Sequence, residues 1–189
     1  MARRSEHSRN EIKTMVLEAA ENIVREQGFS ALKIRQISAD MGYTVASVYM
    51  VFENMDDLNT QIKTRTTEKI LQDITSEKEC LAIAIAYFEF VLKERGLCRM
   101  LLQHQTLRNL PSEKAYDRAQ AELQMCFCDS LNVINSGYTE LEIDKASKVL
   151  MSAVQGACLP LLMQNSVDQT SIKNNIELLL TCFLRGWRK

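Results

Sequence analysis

The sequence is short of the residues that turn a chain. It has only two prolines and six glycines in 189 residues. Antiparallel sheet proteins reverse roughly every ten residues and draw those reversals largely from Gly and Pro. Their scarcity argues against a sandwich or barrel and for long helices with few breaks. A charge excess is missing too. The formal net charge is −1, so any surface for a polyanion must be local. No run approaches the roughly 18 consecutive apolar residues of a membrane span. The opening Met1-Ala-Arg-Arg-Ser-Glu-His-Ser has no apolar segment behind it, so it does not read as a signal peptide. A cytoplasmic protein with no membrane partner is expected.

Chemical motifs are equally scarce. None of the six cysteines (Cys80, Cys98, Cys126, Cys128, Cys158, Cys182) forms a Cys-x-x-Cys pair. Cys126 and Cys128, two apart on a helical stretch, point to nearly opposite sides. All six sit among apolar residues and read as free thiols acting as small core hydrophobes, so no metal site and no cofactor are expected. There is no phosphate-binding glycine loop, no His-Glu-x-x-His and no Gly-x-Ser-x-Gly. The sequence therefore does not read as an enzyme.

What is abundant is helical periodicity. Hydrophobic residues make up 46% of the chain, enough for a substantial core. Ser8-Arg9-Asn10-Glu11 is a capping box. Behind it Ile12, Met15, Val16, Ala19, Ala20, Ile23 and Val24 form a continuous i, i+3, i+4, i+7 stripe, predicting a helix to about residue 27 that Gly28 ends. A short helix over 33–41 buries Ile34, Ile37 and Met41. Gly42 turns the chain, and Thr44 caps a third helix from 45 to about 52 with Val48 and Phe52 inward. Two short helices joined by a glycine turn on a longer first helix have the geometry of a helix-turn-helix.

Further helices are expected at 54–75, 77–95 (closed by Gly96), 97–105, 113–135, 139–164 and 171–187. Asn54 caps the first of these. A loop falls at Asn109-Leu110-Pro111-Ser112, Ser136-Gly137 is a break, and Thr139 and Glu142 make a second capping box. The expected fold is all-α with about nine helices.

The spacing Gly28-Phe29, Lys33-Ile34, Ile37-Ser38, Met41-Gly42-Tyr43-Thr44, Ala46, Val48-Tyr49, Val51-Phe52, Met55, Leu58 closely resembles the DNA-binding segment of the tetracycline-repressor (TetR) family. The resemblance covers about residues 12–58. It departs at Lys33 (usually Thr), Met41 (usually small), Tyr43-Thr44 (usually Val-Ser) and Met55, where the family commonly has a phosphate-contacting Lys. The resemblance implies a helix-turn-helix DNA-binding domain over 1–54 and a helical effector-binding and dimerisation domain over 55–189.

Within the first domain, the outward positions of a recognition helix are Thr44, Val45, Ala46, Ser47, Met50 and Val51. Tyr49 falls where the family places a phosphate-bonding Tyr. It reads equally as a core Tyr with its hydroxyl at the edge. Lys33 and Arg35 open the supporting helix, and an Arg at position 35 can pair bidentately with guanine. Arg3, Arg4 and Arg9 form a basic arm. Residues 1–52 hold seven basic and six acidic residues, a net charge of +1, with Glu11, Glu18 and Glu21 expected on the side away from DNA.

In the second domain the resemblance implies a small apolar or amphipathic effector, with Tyr87, Phe90, Met100, His104, Tyr116, Met125 and Phe127 as candidate pocket groups. It also implies dimerisation through the last two helices. The last helix is apolar over more than one face. Ala146, Ala153 and Ala157 line one side of its predecessor, and Ile176, Leu180, Phe183 and Leu184 complete the expected homodimer interface. The function implied is a ligand-responsive repressor on a palindromic DNA operator. The alternative is a DNA-binding interaction protein of the same fold without an effector.

Overall fold

The structure is a computed structural model, described here over residues 7–104, 110–134, 137–164 and 166–187. Among these are nine α-helices and no strand: α1 Arg9–Gln27, α2 Ile34–Met41, α3 Val45–Tyr49, α4 Met55–Ile74, α5 Cys80–Lys93, α6 Arg95–Gln103, α7 Pro111–Val133, α8 Glu140–Met163 and α9 Gln169–Trp187. The all-α expectation holds.

Local chemistry sets most helix ends. At α1 the Glu11 amide donates to Ser8 Oγ at 3.3 Å and the Ser8 amide donates to Glu11 Oε2 at 2.6 Å. The Ser8 backbone and hydroxyl bonds hold the Glu11 carboxyl below its usual range. Thr139 and Glu142 repeat the capping box at α8. Asn54 Oδ1 accepts from the Asp57 amide at 2.9 Å, and Asp57 accepts from the Glu53 amide at 3.0 Å, so the start of α4 is doubly capped. Pro111 opens α7 at the first helical position, where its missing N–H costs nothing.

Gly96 corrects one expectation. It does not close α5, which ends at Lys93, but lies in the first turn of α6. A Cβ there would sit 2.5 Å from the Val24 carbonyl oxygen and 3.0 Å from Arg25 Cα. The glycine serves close approach of α6 to the end of α1. The expected arm residues Arg3 and Arg4, the end of the sixth helix at Gln105, and Asn109, Asn135 and Ser136 lie outside the described residues.

The chain divides into two compact units. The first comprises Met1–Thr66 with Gly96–Tyr116, the second Thr67–Arg95 with Asp117–Lys189. In the first unit Ile12, Val16, Ala20, Ile23 and Val24 of α1 pack with Ile37, Val48, Phe52, Leu58 and Ile62, and the core is completed by Leu97 and Met100 of α6. In the second, α8 and α9 pack on each other and on α5. Its buried residues include Tyr87, Phe88, Phe127, Leu150, Val154, Ile176 and Leu180, and Tyr138 stacks on Trp187 with ring centroids 3.9 Å apart.

Among the described helices, α8 alone is apolar enough by length and composition to cross a membrane; a third of that stretch is buried within the chain, and Glu140, Glu142, Asp144, Lys145 and Lys148 crowd its first turns.

Candidate nucleic-acid interface

The turn between α2 and α3 is built from the backbone outward. Gly42 adopts φ 67°, a left-handed conformation open to glycine at little cost. The Gly42 amide donates to Ala39 O at 3.1 Å and the Tyr43 amide to Ser38 O at 2.9 Å. Ser38 is buried and donates its hydroxyl to Arg35 O at 3.0 Å. Thr44 caps α3, its Oγ1 accepting from the Ser47 amide at 3.2 Å and lying 2.9 Å from Ser47 Oγ. Ile37, Val48 and Phe52 fix the inner side of the motif against α1.

That burial leaves the other side bare. Tyr49 is 53% exposed, Met50 48% and Val45 37%. Thr44 and Ala46 are exposed and Ser47 half-buried, while Lys33 and Arg35 are exposed at the start of α2. Tyr49 is thus a surface side chain.

Val51 corrects the sequence reading, being buried in the core at 9% exposure. The physical reason is that α3 stops at Tyr49. The amides of both Val51 and Phe52 then bond to Val48 O at 3.1 Å, a tightened turn that tucks Val51 inward beside Phe52. Met55, at the position where the family resemblance leads one to expect a Lys, is half-buried against the same core. Its apolar side chain serves packing.

Glu21, expected on the side away from DNA, is 2% exposed, with Oε1 3.2 Å from Arg65 Nε and Oε2 3.5 Å from Arg25. Glu11 and Glu18 are exposed, as is Arg9; Lys13 lies with Nζ 5.8 Å from the Phe52 ring centre. Sequence reasoning missed the bond between His7 Nδ1 and Tyr43 Oη at 2.6 Å. It ties the lead-in to α1 to the turn of the motif, and no local pattern signals a contact spanning 36 residues.

The candidate pocket residues fall in both units. Met100, His104 and Tyr116 lie in the first; Tyr87, Phe90, Met125 and Phe127 lie in the second. Met100, Tyr87, Phe90 and Phe127 are buried core, whereas Met125 is 55% exposed. Phe90 also borders an open depression of about 330 Å³ with Asp73, Glu77, Ala86, Glu89 and Lys93, a charged rather than apolar lining. The structure does bring His104 and Tyr116 together, through Lys63. This buried lysine donates to His104 O at 3.0 Å and lies 4.4 Å from the Tyr116 ring centre. Burial pushes the Lys63 ammonium below the ordinary lysine range.

Of the candidate interface residues, Ile176 and Leu180 are fully buried within the second unit, correcting their placement on an outer face. Ala146, Ala153, Ala157, Phe183 and Leu184 are half-buried. The exposed large apolar groups on these helices are Leu141, Val149, Leu159 and Met163 on α8 and Leu178 on α9.

Residues 16–62 match the profile of bacterial regulatory proteins of the tetR family. No curated protein sequence matches the chain. Among solved structures, a TetR transcriptional regulator from Rhodococcus sp. RHA1 superposes with TM-score 0.69 at 13% identity, covering 94% of this chain and 98% of that one. A TetR-family transcriptional regulator from Streptomyces coelicolor gives TM-score 0.70 at 16% identity, covering 95% and 97%. The multidrug-binding protein EbrR, solved with imidazole, gives 0.61 at 18%, covering 88% and 93%. At these identities the likeness is one of fold, and the profile match adds the family of the N-terminal segment. The helix-turn-helix segment matches the tetR-family profile, and the chain that carries it has an all-helical fold like that of the TetR-family transcriptional regulators above.

Proposed function

We propose that this chain is a sequence-specific transcriptional regulator, acting in the cytoplasm as a ligand-responsive repressor. In this reading residues 1–54 bind duplex DNA, and residues 55–189 bind an effector and dimerise. The observation that carries it is the one-sided exposure of the helix-turn-helix. Ile37, Val48 and Phe52 are spent on the core, while Thr44, Val45, Ala46, Tyr49 and Met50 are free to enter a major groove, with Lys33 and Arg35 beside them. Lys33 and the Tyr49 hydroxyl suit phosphates, and Arg35 suits guanine. Val45, Ala46 and Met50 can read little in the groove except the thymine methyl.

Dimerisation rests on α8. Val149, Gly156 and Met163 recur at seven-residue spacing along its exposed side, with Leu159 beside them. A Cβ at Gly156 would meet nothing of its own chain within 4 Å, so the glycine leaves room for another backbone. An apolar strip of this length left in water is an aggregation liability that two-fold pairing removes. One recognition helix per subunit then calls for a near-palindromic operator, with half-sites about 34 Å apart or a simple multiple of that.

Selecting binding sites from random duplex DNA tests this reading. Palindromic sites whose affinity falls in Arg35→Ala are expected. Recovery of asymmetric single sites, or of no sequence preference, would overturn it.

A further inference from the structure

The first unit contains a concentration of buried polar groups that the DNA-binding surface does not use. On α4, Asn59, Thr60 and Lys63 are 4%, 0% and 4% exposed. Asn59 and Lys63 are four apart and Thr60 and Lys63 three apart, so each is a neighbour of Lys63 across one helical turn. His104 at the end of α6 and Ser112 in the first turn of α7 are 8% and 9% exposed. Asn59 Oδ1, Thr60 Oγ1, His104 Nδ1 and Ser112 Oγ are all sequestered from solvent and have no hydrogen-bond partner. Leaving such groups unpaired away from water is costly, and native cores contain few. The same corner holds a buried ammonium. Lys63 Nζ reaches His104 O at 3.0 Å and the Tyr116 ring centre at 4.4 Å. Tyr116 lies one turn beyond Ser112 on the same side of α7.

We propose that Asn59, Thr60, Lys63, His104 and Ser112 form the anchoring site of a small organic carboxylate that also carries a hydrogen-bond donor. The identification of this ligand as the effector rests on the regulator reading above. The chemistry of the five groups selects the class. The buried Lys63 ammonium carries three N–H donors, and it and the Thr60 and Ser112 hydroxyls can donate to the same carboxylate. His104 Nε2 lies 3.3 Å from the Asp56 carboxylate, which takes an N–H from it. In the neutral ring this leaves Nδ1 as a bare acceptor. Asn59 Oδ1 is a second acceptor. Those two atoms call for an O–H or N–H on the ligand. This narrows the apolar or amphipathic effector expected from the sequence to one with an anionic head.

The site also has a route to the DNA-binding motif. The His104 ring packs edge-on against Phe29, centroids 5.7 Å apart, in the connection between α1 and α2. Asp56 lies in the first turn of α4, just beyond α3. A carboxylate that takes Lys63 Nζ away from the His104 carbonyl therefore loosens a residue in contact with both ends of the motif.

Calorimetric titration of the full-length protein without DNA tests the site, using lactate, succinate and 4-hydroxybenzoate as probes, with 4-hydroxybenzamide and inorganic phosphate as controls. At least one carboxylate should bind. Its affinity should fall about tenfold or more in Lys63→Met, the loss of a charge-assisted hydrogen bond, and severalfold in Ser112→Ala and Thr60→Val. The two milder variants keep the test valid if Lys63→Met fails to fold by circular dichroism. The proposal is overturned if no carboxylate binds at up to about 10 mM. It is also overturned if affinity survives in all the folded variants, or if the neutral amide or phosphate binds as tightly. Operator binding is measured separately, so carboxylate binding without sequence-selective DNA binding would discard the regulator reading and keep the site.

Discussion

Replacing Gly96 with alanine adds one carbon where α6 approaches the end of α1. That Cβ would stand 2.5 Å from the Val24 carbonyl oxygen, 3.0 Å from Arg25 Cα and 3.2 Å from the Val24 carbonyl carbon. All three are backbone atoms, so no side chain can rotate away. Ordinary contact begins near 3.4 Å, so α6 or the end of α1 must move by about 0.9 Å. Displacements of this kind in a packed core cost about 1–3 kcal/mol. Alanine normally gains up to about 1 kcal/mol over glycine inside a helix, but position 96 is in the first turn, where less of that gain is realised. Destabilisation should therefore prevail, lowering the melting temperature by about 2–12 °C at roughly 2–4 °C per kcal/mol for a chain of this length. Thermal melts followed at 222 nm, with urea unfolding alongside, measure it. An unchanged or raised melting temperature would show that Gly96 is not held by contact with α1 and that the reasoning is wrong.

Four further outcomes are expected. Glu21→Ala strips a buried carboxylate from Arg65 and should cost about 1–3 kcal/mol, below the full value for a buried pair because Arg65 remains 28% exposed; a urea midpoint equal to wild type would contradict it. Burial pushes the Cys158 thiol from 9.0 up to about 12. The folded state therefore holds this proton more tightly than the unfolded chain, so the contribution is intact below pH 9 and is lost as pH rises from 9 toward 12. Cys158→Ala should flatten that part of the alkaline stability profile, and an identical slope in both proteins would refute it. Replacing operator thymines with uracil should weaken binding by removing the methyls that Val45, Ala46 and Met50 reach, and equal affinity for both duplexes would dismiss such contacts. Val149→Asp, at a position 61% exposed within the chain, should keep full helix content yet sediment as a monomer; a folded dimer would place the interface elsewhere.

Helix count and most helix ends were legible in the sequence because their causes are local. Ser8 with Glu11, Thr139 with Glu142, Asn54 and Gly42 each act within four residues of themselves. Gly96 was misread because a glycine needed for helix approach looks, in sequence, like one needed for a helix end. Its reason lies some seventy residues away at Val24. Val51 was misread by carrying the α3 period past Tyr49, where the backbone tightens. The candidate DNA-binding surface was otherwise legible, since Val48 and Phe52 mark the inner face and leave the rest outward. The buried charges were not. Glu21 and Lys63 sit in helices with ordinary amphipathic patterns, and their burial depends on Arg65 and His104, distant in the chain. For α9 the apolar faces were visible, but their division was not: Ile176 and Leu180 serve the subunit's own core.

The composition of the first unit bears on the order in which the protein can be made. Leu97 and Met100 belong to a core whose other members end at Ile62. A ribosome delivers the chain through Ile62 first and reaches Leu97 35 residues later. At about 5–20 residues per second, this leaves a gap of roughly 2–7 s. Throughout it the apolar sides of Val24, Leu58 and Ile62 lack their cover. Truncation at residue 54 or 66 makes that interval permanent, so a DNA-binding fragment cut there should be prone to aggregate. A fragment extended through residue 116 retains the missing helix and is the shorter piece with a complete first core.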